Sequence, residues 1–102
     1  MGENIRNAVQ TIGTTAVEIA LTLQQGKRTA LAITNTSTSG QNISLNWGHE
    51  TTAGTGVVLY PGGSWWESID SAFTPSNLQI WAVASAAAAT IAIHERIKSG
   101  GP

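Results

Sequence analysis

The stretch L-Q-I-W-A-V-A-S-A-A-A-A-T-I-A-I, Leu78 to Ile93, decides the fold class. Ala86 to Ala89 has high helix propensity, and a helix could be drawn from Leu78 through Ala89. No three-to-four-residue spacing of large apolar groups runs through it, however. The β-branched pair Ile91 and Ile93 follows the alanines, and Ile80-Trp81-Ala82-Val83 precedes them. The segment therefore reads as two strands joined by a turn at Ser85 to Ala88, a hairpin. It is also too short for a membrane span, which needs roughly 20 apolar residues without the Gln79, Ser85 and Thr90 found here.

Working outward, a period of two recurs along the chain. Val17, Ile19 and Leu21 share one side of Thr15–Thr22, opposite Ala16, Glu18 and Ala20. Leu31 and Ile33 share a face of Thr29–Asn35, as do Ile43, Leu45 and Trp47 of Asn42–Trp47. Val57 and Leu59 alternate with Val58 and Tyr60, and Trp65, Glu67 and Ile69 with Trp66 and Ser68. Ile91, Ile93 and Ile97 alternate with Thr90, Ala92, His94 and Arg96. With Arg6 to Ile12 added, about eight short strands result.

Turn residues separate the runs: Gln25-Gly26-Lys27, Ser37 to Gln41, Thr52 to Gly56, and Pro61-Gly62-Gly63. Pro61 presets φ for the second position of a turn, and Gly62 can take the positive φ that a type II turn then requires. Pro61, Gly62 and Gly63 are accordingly expected to form a structural turn. The expectation is an all-β chain, one antiparallel β-sandwich over residues 1–102, with loose termini at 1–4 and 98–102.

Composition narrows function. Charged residues make up 11% of the 102, against roughly 25% in an average soluble domain. Thr, Ser, Asn and Gln take up the difference. A small protein with so few charges is expected to cover part of its surface with copies of itself, and unguarded edge strands are one place to pair. Five Lys+Arg against six Asp+Glu leave no basic surplus for nucleic acid. The absence of cysteine excludes disulfides and thiolate chemistry. Met1 to Arg6 lacks the basic start and apolar run of a signal peptide.

Chemistry-bearing constellations are sparse. His49-Glu50 and His94-Glu95 are neighbour pairs whose side chains face opposite sides of a strand, so neither chelates an ion alone. Ser64 or Ser68 could be combined with His49 or His94 and Asp70 only on paper, because G-G-S-W is not a nucleophile elbow. No catalytic, metal or cofactor residue is expected.

The tryptophans are the one unusual concentration: four, with Trp65 and Trp66 adjacent. Neighbours on a strand face opposite sides, so one is expected in the core and the other outside. An outward tryptophan can anchor a subunit contact or stack on a sugar ring. Trp65, Trp66, Trp47 and Tyr60 are the candidate interface residues.

Thr34-Asn35-Thr36-Ser37, Asn42 to Gly48, Gly54 to Ser64 and the late pair Trp81 to Ala84 and Ala89 to Ile93 resemble a pattern of small bacteriophage virion proteins. The likeness covers about Thr29 to Glu95. It implies a jelly-roll-like β-sandwich acting as a capsid decoration, vertex, spike or fibre component, located on the virion and made in the host cytoplasm. The partners implied are further capsid or virion proteins and copies of the chain itself, as a trimer or pentamer. A carbohydrate-binding, receptor-recognition module is the alternative that the aromatic residues raise.

Overall fold

In the computed structural model, residues 3–98 are described, as eight strands without a helix: β1 (Glu3–Ile12), β2 (Val17–Ala20), β3 (Arg28–Asn35), β4 (Ile43–Trp47), β5 (Val57–Leu59), β6 (Ser64–Ser68), β7 (Ile80–Ala84) and β8 (Ala89–Lys98). They form two four-stranded antiparallel sheets, β1-β8-β3-β6 and β2-β7-β4-β5. The chain folds back on itself between β4 and β5, so that β4 pairs β5, β3 pairs β6, β2 pairs β7 and β1 pairs β8. Successive pairs alternate between the sheets, which is the winding of a jelly roll. The β-sandwich expected from the alternation is what forms.

Alternation decides which side chains enter the core. Ile12, Leu31, Ile33, Ile91 and Ile93 from one sheet meet Ile19, Ile43, Leu45, Leu59, Ile80 and Ala82 from the other. All are buried.

Three expectations need correction. Ile80–Ala84 and Ala89–Lys98 are strands joined by a turn, but they are not a hairpin. β7 lies between β2 and β4, and β8 between β1 and β3, so both flanks of each are already paired. The turn carries the chain from one sheet to the other, with Ala88 at a φ of +64°. Second, Leu21 was expected inward with Ile19, but it is 68% exposed. A register shift between Glu18 and Ala20 brings Ala20 to the core instead, and β2 ends there. Third, Glu3 and Asn4 belong to β1 and Lys98 to β8, paired as Glu3↔Lys98 and Asn4↔Ile97, so the ladder reaches into the segments expected to be loose. The rest of those segments, 1–2 and 99–102, lies outside the described residues.

Candidate interaction surface

The pleat of β6 separates the adjacent tryptophans. Trp65 turns inward and packs against the core. Its ring meets Trp47 edge-on, with centroids 6.1 Å apart, and lies 4.8 Å from that of Phe73. Trp66 turns outward and is 60% exposed. Tyr60 is exposed as well, at the start of the glycine turn. The structure thus brings Trp47 and Trp65 together inside and leaves Tyr60 and Trp66 on the surface.

The turn itself is closed by the Gly63 N–H donating to the Tyr60 carbonyl at 2.7 Å, with Gly62 at a φ of +84°. Asn35 clamps it. The Gly62 N–H donates to the Asn35 carbonyl (2.7 Å), and the Asn35 N–H to the Gly63 carbonyl (2.9 Å). The buried Asn35 amide donates to the carbonyls of Gln41 and Leu59, and its Oδ1 accepts from the Ser37 N–H. The T-N-T-S and P-G-G-S segments, far apart in the chain, therefore bond to each other.

On the outer face of the β1-β8-β3-β6 sheet, Asn7, His94, Ala32 and Trp66 fall opposite one another across the four strands. The rungs on either side are Val9, Ala92, Thr34 and Ser64, and Ile5, Arg96, Ala30 and Ser68. The middle is floored by alanines, and a shallow hollow of about 350 Å³ opens there, lined by Asn7, Val9, Ala32, Thr34, Ala92 and His94. Val9 is 77% exposed on its wall. His94 Nδ1 lies 2.7 Å from Asn7 Oδ1, and Arg96 Nε donates to His94 Nε2 at 3.0 Å, an arrangement that requires the Nδ1–H tautomer. Beside Trp66, a second cleft of about 340 Å³ is lined by Ser64, Trp65, Ala72 and Phe73.

Sequence reasoning missed a charge cluster in the interior. The inner face carries the rung Arg6, Glu95, Leu31, Glu67. Glu95 accepts from Arg6 Nε (2.8 Å) and from Arg28 Nε (2.7 Å). Arg28 also donates to the carbonyls of Leu21, Ser76 and Leu78, tying the β2–β3 and β6–β7 connections to the core. The sequence held one signal: Glu95 is in phase with Ile91, Ile93 and Ile97. Arg28 had none, because a register shift between Arg28 and Ala30 turns it inward. Burial pushes the Glu67 carboxyl above its ordinary value of 4.5, and the Trp65 indole N–H and the Arg28 charge offset only part of this. The indole falls short of hydrogen-bond geometry, so Trp65 Nε1 and Glu67 Oε1 are both buried without a partner among the described residues.

The serines and histidines paired on paper are spoken for elsewhere. Ser64 Oγ bonds Thr34 Oγ1, Ser68 Oγ accepts from the Asp70 N–H, and His49 Nδ1 contacts the Glu50 carbonyl and the Asn46 amide. No group of three His, Asp or Glu placed to hold a metal occurs among the described residues.

The chain matches no protein-family model and no curated protein. Among solved structures it is similar to a subunit of Bacillus endospore appendages, described as a novel family of disulfide-linked pili. The TM-score is 0.65 at 17% identity, over 96% of this chain and 88% of that one. The likeness is one of fold. A disulfide link has no counterpart in this sequence, which has no cysteine.

Proposed function

We propose that this chain is a non-enzymatic structural subunit that assembles with copies of itself, with the β-sandwich as its building block. The observation that carries this is the open side of β1. This edge strand is ten residues long, contains no proline, and among the described residues pairs only with β8. Its exposed apolar groups, Ile5 and Val9, stand beside unguarded backbone. Such an edge is a template for another strand. The charge that turns inward from it, Arg6, is bonded to Glu95, which it shares with Arg28.

The fold neighbour, a pilus subunit, is consistent with an assembling role. The finer placement rests on the sequence resemblance: a decoration or vertex component of a phage virion, in trimers or pentamers, contacting other capsid proteins.

Neighbouring N–H groups on β1 point alternately to β8 and to the open side. Of Ala8→Pro and Val9→Pro, one therefore removes only an outward donor and leaves the fold intact. Light scattering at tens of micromolar should show an oligomer for the parent and a monomer for that variant. A monomeric parent, or an oligomer that survives in the folded proline variant, overturns the edge-pairing reading.

A further inference from the structure

We infer that the strand received by the open edge of β1 is β1 of a second copy, antiparallel about a two-fold axis at Asn7, so that Ile5 of each copy faces Val9 of the other. This rests on the edge-pairing reading above and names its partner and register.

The direction of the backbone groups comes first. The Lys98 N–H donates to the Lys27 carbonyl, and the Thr90 carbonyl accepts from the Thr36 N–H. Even-numbered residues of β8 therefore turn their backbone groups toward β3. Their partners on β1 are Glu3, Ile5, Asn7, Val9 and Thr11, in a register without a shift. In an antiparallel ladder, the residue opposite such a group points its own N–H and C=O the other way. Ile5, Asn7 and Val9 thus offer N–H and C=O to the open side, and Val9→Pro is the variant that removes an outward donor.

Length then selects the partner. The edge strands are β1, β2, β5 and β6. β2 has four residues and a register shift, and β5 has three. β6 has five, and the N–H at its end, Ser68, is taken by the Phe73 carbonyl. β1 has ten in unbroken register, a length that only another β1 matches.

Side chains fix the register. A self-pair that joins outward groups to outward groups and keeps most of the strand can centre on Arg6, Asn7 or Ala8. Centring on Arg6 sets two like charges directly opposite each other. Centring on Ala8 puts Ile5 against Thr11 and Val9 against Asn7. Centring on Asn7 pairs residues 3–11 of both copies, with Arg6 opposite Ala8 and Ile5 opposite Val9 twice. The two apolar groups that the edge exposes, Ile5 at 50% and Val9 at 77%, then cover each other. Below β1, the same side of the sandwich holds a hollow of about 360 Å³ lined by Gln10, Ile19, Leu21, Leu23 and Ile97. A sheet continued past β1 turns Ala8 and Gln10 of the second copy toward it. The contact closes on itself and makes pairs, so grouping in threes or fives has to be added through another surface.

The chain has no cysteine, so single cysteines report on the register without background. Cα atoms of a hydrogen-bonded antiparallel pair lie about 5.5 Å apart, within disulfide range. Under mild oxidation of the full chain at tens of micromolar, Asn7→Cys should form a linked dimer. Ile5→Cys and Val9→Cys should each link at least about tenfold more slowly, since like residues then lie about 14 Å apart, and should link rapidly when the two are mixed. All three positions are exposed, so the variants should melt with the parent. Asn7→Cys linking no faster than Val9→Cys alone, or Ala8→Cys linking faster than Asn7→Cys, overturns the inference. If that happens while Val9→Pro still turns an oligomeric parent into a monomer, the edge reading stands and its partner is another strand. A monomeric parent overturns both.

Discussion

Arg28 Nε lies 2.7 Å from Glu95 Oε2, with both side chains almost fully buried. This pair, placed among isoleucines, sits where the two sheets and two connections meet. Its value comes from complete satisfaction: Glu95 is bonded on both oxygens, and Arg28 reaches three backbone carbonyls besides.

Breaking it from one side is expected to be costly. Arg28→Met leaves the Leu21, Ser76 and Leu78 carbonyls without their donor and Glu95 with one cation instead of two. Urea unfolding should show a loss of about 3–5 kcal/mol. Arg28→Lys should recover little, because a single ammonium cannot reproduce the guanidinium fork.

Glu67 gives the opposite sign. A carboxyl whose pKa is raised by burial binds its proton more tightly folded than unfolded. Stability from this residue is therefore full below about pH 4.5 and falls as pH rises through the elevated folded value. Glu67→Gln removes the penalty. Its melting temperature should exceed the parent's at pH 7, and the gap should shrink towards pH 4. A variant that melts below the parent at both pH values would contradict this.

The turn at Gly62 should be strained by any side chain. Nothing lies within 4 Å of a Cβ built there, so the cost comes from the positive φ alone. Gly62→Val is expected to lose about 1–2 kcal/mol. Gly56→Ala should lose more, because its Cβ would run into the Leu45 carbonyl as well as holding a φ of +75°. Thermal melts of the two variants check the order.

Trp65 and Trp66 should part company in stability measurements. Trp65→Ala removes the ring that joins Trp47 to Phe73 and should destabilise by about 3 kcal/mol. Trp66→Ala removes an exposed ring and should stay within about 0.5 kcal/mol of the parent. Equal losses would mean that the outer ring is packed in solution.

The part of this fold legible from residue order alone is what a local period can carry. Leu31 and Ile33, Ile43 and Leu45, and Ile91 and Ile93 announce strands and their inward faces, because a pleat turns every second side chain to the same side. Pro61-Gly62 announces its turn, because φ preferences belong to single residues. The same logic said that Trp65 and Trp66 must diverge, without saying which would face out. That choice belonged to the tertiary structure, which aligned Trp65 with Ile33 on the core side. Pairing did too. β7 and β8 are adjacent in the chain but lie in different sheets, because each found its two neighbours among distant strands. The burial of Arg28 and Glu95 was equally out of reach, since a buried charge is tolerable only when partners far along the chain converge on it. Glu95 lies 67 residues from Arg28 and 89 from Arg6. Alternation is written between neighbours, whereas pairing and charge neutralisation arise only when the chain closes on itself.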